Sequence, residues 1–112
     1  ASLEELQKGV ARVANADSSR LGLGLTIAPE EVIGYDGYLG EGYAVMGEPE
    51  REAIALAARQ EGLLLDPVYT GRAMAGLIDL SRKGVFGKGE TILFWHTGGA
   101  QALYAYAEEL SS

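Results

Sequence analysis

Residues 91–106 read TILFWHTGGAQALYAY. Ile92, Leu93, Phe94 and Trp95 are consecutively apolar, the pattern of a strand buried on both faces of a parallel sheet. Thr91–His96 is therefore predicted as a β-strand. Gly98 and Gly99 interrupt the run, and Ala100–Leu110 continues at helical spacing. Residues 63–80, LLLDPVYTGRAMAGLIDL, repeat the layout: an apolar run, polar residues beside glycine, then a helical pattern. The layout puts Tyr69, Thr70 and Thr97 where an extended run passes into a helix. In open α/β sheets ligands bind beyond the carboxyl ends of the strands, so such junctions are where chemistry is expected. The expected fold class is α/β, with one strong parallel strand at about 91–96 flanked by helices. Such a strand needs neighbours on both sides. The chain offers one or two weak ones, so it reads as a piece of a larger α/β protein.

Working outward, Asp66–Pro67 forces an extended or turn geometry. Thr70 reads as an N-cap for a helix over Arg72–Lys83, with Met74, Leu77 and Ile78 on one face. Before it, Pro49 suits a first helical turn, Ala53, Leu56, Ala57 and Gln60 continue that helix, and Gly62 stops it. Ile33–Gly47 is rich in glycine and tyrosine and reads as a long loop. Leu3, Leu6, Val10 and Val13 recur at helical spacing, which predicts a helix over 3–14 followed by a polar loop over Asn15–Gly24. No repeat, low-complexity segment or linker divides the chain. Residues 1–112 are expected to form a single segment without an internal domain boundary.

Composition narrows the function. The chain of 112 residues carries a net charge of −7, which disfavours nucleic acid or an anionic membrane as partner. It has no cysteine, hence no disulfide and no thiolate site. No apolar run approaches the ~20 residues of a membrane span, and no signal-peptide pattern opens the chain. A cytoplasmic location is the default expectation. His96 is the sole histidine, so no histidine cluster for a metal or a catalytic triad forms, and no metal site is expected.

DPVYTGRAMAGLIDL (Asp66–Leu80) and FWHTGGAQALYAY (Phe94–Tyr106) closely resemble the C-terminal part of the D-cysteine desulfhydrase / 1-aminocyclopropane-1-carboxylate deaminase family. GYAVMGEPEREAIALAARQEGLLL (Gly42–Leu65) resembles it more loosely, and upstream of about Tyr35 the likeness fades. These are pyridoxal-phosphate (PLP) enzymes of the tryptophan-synthase-β type. The resemblance implies the C-terminal fragment of a three-layer sandwich (PLP fold type II), about a third of the whole enzyme. It implies a PLP-dependent β-elimination of sulfide from D-cysteine, giving pyruvate and ammonia. The alternatives are 1-aminocyclopropane-1-carboxylate deaminase activity, or a non-catalytic, stand-alone fragment that folds by oligomerising.

The resemblance also implies roles. Tyr43 and Tyr69 stand at the substrate as catalytic residues. Thr97, with Gly98, meets the pyridine nitrogen of the cofactor. Read without the family, Thr97 is a helix cap beside permissive glycines, and Tyr69 is a packing aromatic. Thr70 is a departure: deaminases of the family carry a glutamate there that pairs with the cofactor ring, and threonine looks like the desulfhydrase branch. Lys8, Lys83 and Lys88 lack the family's motif for the lysine that holds PLP. Covalent attachment, and activity of this chain alone, are not expected. The expected partners are a small D-amino acid and either a second copy or the missing N-terminal part.

Overall fold

The computed structural model describes all 112 residues. They form two compact units, Ala1–Gly37 and Tyr38–Ser112. In the first unit, helix α1 spans Leu3–Leu21. Ser2 and Glu5 open it with a capping box: the Ser2 hydroxyl accepts from the Glu5 N–H, and the Glu5 carboxylate accepts from the Ser2 N–H. Gly22 closes it in the left-handed conformation (φ 65°), with the Leu23 N–H returning to the Ser18 carbonyl.

α1 runs seven residues past its predicted end at 14. The polar residues read as a loop are instead a hydrogen-bonding face. Asn15 pairs with both the N–H and the C=O of Ile27, and the Ser18 hydroxyl pairs with both groups of Leu25. Gln7 donates to the Val32 carbonyl. Side chains on the helix thus satisfy the backbone of a segment that has no strand partner. The apolar residues Leu6, Val10 and Val13, expected on a buried face, are exposed in this unit.

The second unit holds α2 (Glu48–Glu61), α3 (Thr70–Arg82), a 3-10 turn over Ala100–Tyr106 and α4 (Ala107–Ser111). Pro49 lies in the first turn of α2, and Gly62 ends it at φ 66°, both as the sequence predicts. α2 packs on α3 around Ile54, Ala57 and Leu65, with Met46, Met74, Phe94, Leu103 and Leu110 closing over them. Gly71 makes the crossing possible. A Cβ there would lie 2.5 Å from the Asp66 carbonyl oxygen and 3.0 Å from Cγ1 of Ile54.

The α/β expectation is overturned. The chain is helical, with no strand and no sheet, and so no three-layer sandwich with a parallel strand at 91–96. Thr91–His96 is extended but makes no backbone ladder. An apolar run becomes a strand only when a second segment meets its N–H and C=O groups, and no segment of this chain does. Phe94 packs on the core, while Leu93 and Trp95 stay 80% and 76% exposed. The run is anchored by a side chain instead, through His96 Nε2 at 2.9 Å from the Leu64 carbonyl.

Candidate active site

Asp66 organises the start of α3. It is 1% exposed, and its carboxylate accepts the N–H groups of Val68, Tyr69 and Thr70 at 2.7–2.8 Å. It also accepts the Thr70 hydroxyl at 2.7 Å. The Thr70 N–H is the first of the donors that α3 leaves unpaired, and those of Val68 and Tyr69 belong to the turn before it. Asp66 therefore holds the turn that leads into α3, and the Thr70 hydroxyl, suggested as the cap, bonds Asp66 instead. Burial pushes the Asp66 carboxyl upward, but the bonds from Thr70, Tyr69 and Val68 outweigh it and hold the group below the ordinary carboxylate range. The Thr70 hydroxyl is itself buried, donating to Asp66 Oδ1 and accepting the Asp66 N–H at 2.8 Å.

With the turn fixed, Tyr69 projects outward and is 60% exposed. Its hydroxyl lies 3.0 Å from that of Tyr43, with the rings edge-to-face at 6.2 Å. The two tyrosines picked out as substrate residues are thus brought together from segments 26 residues apart. The bond to Tyr43 raises the Tyr69 phenol above its ordinary value, and the nearby Asp66 charge adds to this.

Thr97 and Gly98 occupy an exposed turn. His96 shapes it, its Nδ1 accepting the Gly98 N–H at 3.0 Å, which leaves Nε2 to donate to the Leu64 carbonyl. Gly98 and Gly99 both adopt left-handed φ values, 100° and 91°. A Cβ on Gly99 would lie 2.9 Å from the Asp66 carboxyl, so this turn rests on the residue that anchors Tyr69. A Cβ on Gly98 would meet nothing within 4 Å, and the turn after Thr97 is open on that side. No side chain caps the 3-10 turn that begins at Ala100, so Thr97 is not its cap.

Two residues with no functional signal in the sequence contribute here. Arg72 bonds Glu50, Gly42 and Val45, and the Tyr106 hydroxyl bonds the Ala44 carbonyl at 2.7 Å. Their partners lie 22 to 62 residues away, beyond any local pattern. Asp66 was legible only as part of an Asp-Pro turn, and its bonds to the following N–H groups were not.

The chain matches the pyridoxal-phosphate dependent enzyme family over residues 3–98. It belongs to that family. It is 40% identical over 106 residues to a 1-aminocyclopropane-1-carboxylate deaminase of Rhizobium leguminosarum bv. viciae, covering 95% of this chain and 31% of the relative. It is 41% identical over 108 residues to the protein of that name from Burkholderia vietnamiensis, covering 96% and 32%. The Rhizobium radiobacter protein of that name is 38% identical over 104 residues, covering 93% and 31%. The chain thus spans about a third of the length of these relatives.

The cofactor of the family's intact enzymes is PLP. Polar groups of the kind that hold such a ring lie at the surface, with Tyr43 and Tyr69 adjacent and Thr97 on a separate segment. Exposed hydroxyls at Tyr43, Tyr69 and Thr97, and an open glycine turn, are the groups a polar aromatic ring needs. Lys83 is paired with Asp79 at 2.6 Å, and that bond raises it above its ordinary value, away from the free amine. Lys8 is paired with Glu4. No helix is long and apolar enough to cross a membrane, and no group of acidic or histidine side chains is arranged to hold a metal.

Proposed function

We propose that the intact protein is a PLP-dependent enzyme that releases ammonia from a small amino acid, with 1-aminocyclopropane-1-carboxylate as its substrate. The observation that carries this reading is the exposed pair of phenols, Tyr43 and Tyr69, with hydroxyls 3.0 Å apart. Two hydroxyls at that distance share one proton and present the other outward, where a substrate is bound and a proton exchanged. Thr97 and Gly98 would hold the cofactor ring, and Thr70 backs the turn that presents Tyr69. PLP, when bound, supplies the electron sink at the amino acid's α-carbon. The names of the relatives support the deaminase reading over the desulfhydrase one.

One observation favours D-cysteine desulfhydrase as a second reading. Thr70 presents a neutral hydroxyl turned onto Asp66, at the position where the resemblance gives deaminases a glutamate. The deciding assay supplies the full-length protein with each substrate in turn. The deaminase reading expects a four-carbon 2-oxo acid and ammonia from 1-aminocyclopropane-1-carboxylate. Sulfide and pyruvate from D-cysteine, with no ring opening, would transfer the assignment to the second reading. Neither product from either substrate defeats both.

A further inference from the structure

Tyr43 is 77% exposed, so its own burial does not hold it. Its position depends on the backbone of residues 42–45. That backbone is strained: Ala44 is the one non-glycine residue with positive φ, at 60°. Three of its four carbonyls are gripped by side chains. Arg72 reaches Gly42 with both terminal nitrogens at 3.3 Å and Val45 with Nη2 at 2.9 Å. The Tyr106 hydroxyl donates to Ala44 at 2.7 Å. Arg72 is in turn fixed by Nε on Glu50 Oε1 at 2.9 Å, in a pair whose side chains are 15% and 5% exposed. Glu50 Oε2 accepts the Gly47 N–H at 3.0 Å, which ties the far end of the loop to α2.

Tyr69 is the N-cap residue of α3, and Arg72 stands three residues on, in the helix's first turn. The start of α3 therefore presents one phenol, and its first turn holds the loop that presents the other. We propose that Arg72 and Tyr106 are positioning residues for Tyr43, setting its hydroxyl against that of Tyr69. The planar fork of Arg72 suits this task, because one head group reaches two carbonyls and a carboxylate at once. Lysine keeps the charge opposite Glu50 but not the fork. The proposal rests on the reading of the tyrosine pair as part of the site.

The test is tyrosine ring-carbon (Cζ) NMR of the full-length protein through a pH titration, with Tyr69 assigned by the loss of its signal in Tyr69→Phe. In the parent, Tyr69 titrates above an ordinary tyrosine. In Arg72→Lys and in Tyr106→Phe it moves down, toward its position in Tyr43→Phe, and turnover falls by about tenfold. In the Tyr43→Phe background the same two changes cost less than about twofold more, because the contact they serve is already gone. An unmoved Tyr69 titration in both variants overturns the proposal, as does an undiminished turnover loss in the Tyr43→Phe background. If instead Tyr43→Phe and Tyr69→Phe keep parental turnover while the NMR shifts occur, the clamp stands as structure and the site reading falls.

Discussion

At the scale of single residues, Asp66 gathers four hydrogen bonds on one carboxylate. Its carboxylate takes three backbone N–H groups and one hydroxyl while fully buried. Asp66→Asn keeps the shape but turns an amide NH2 toward donors, which leaves part of the set unpaired. Bonds to a charged acceptor are worth roughly 1.5–3 kcal/mol each, so a loss of at least about 2 kcal/mol is expected in the urea unfolding free energy. The pH dependence follows in sign. A carboxyl held low in the fold stabilises it fully above its unfolded value, and that contribution is lost as pH falls through the folded value. Stability should therefore decline below the ordinary carboxylate range in the parent and decline less in Asp66→Asn. Tyr69→Phe and Thr97→Val belong to the same scale. Each removes one exposed hydroxyl, so folding should be unchanged while turnover of the full-length enzyme falls about 5- to 150-fold, the worth of a lost hydrogen bond of roughly 1–3 kcal/mol. Parental turnover in both would reduce these residues to a packing aromatic and a turn.

At the scale of elements, the α2–α3 pair stands or falls on close approach. Alanine at position 71 would gain about 1 kcal/mol of helix propensity over glycine. Its Cβ would also press within 2.5 Å of the Asp66 carbonyl, a backbone atom that cannot rotate away. Overpacking of this kind costs roughly 1–3 kcal/mol, so Gly71→Ala should lower the thermal midpoint of the second unit. A raised midpoint would mean that the helices have room to separate. The helix ends were legible in the sequence where a local rule governs them, as at Pro49 and Gly62. The end of α1 was not. Asn15 and Ser18 are poor helix residues by propensity, and only their bonds to Ile27 and Leu25 make the helix worth continuing.

At the scale of the whole molecule, the chain leaves large side chains uncovered: Leu6, Val10 and Val13 in the first unit, Leu93 and Trp95 in the second. Exposed apolar surface of this kind drives association. Sedimentation velocity on the 112 residues should give a concentration-dependent coefficient, and Leu93→Ser with Trp95→Ser should bring it closer to the monomer value. A single monomeric species at every concentration of the parent would remove the argument. The same surface explains why the sequence misleads about the fold. Ile92–Trp95 carries the side chains of a buried strand, but a strand is a relation between two segments, and side-chain type reports on one. By itself the sequence determined the family motifs and the bounds of α2 at Pro49 and Gly62. Each of these is written in consecutive residues or short spacings. Only the tertiary structure decided that the chain is helical without a sheet, that Thr70 faces Asp66, and that Arg72 and Tyr106 hold the loop of Tyr43. Those outcomes depend on partners tens of residues away, which packing brings together and no local pattern encodes.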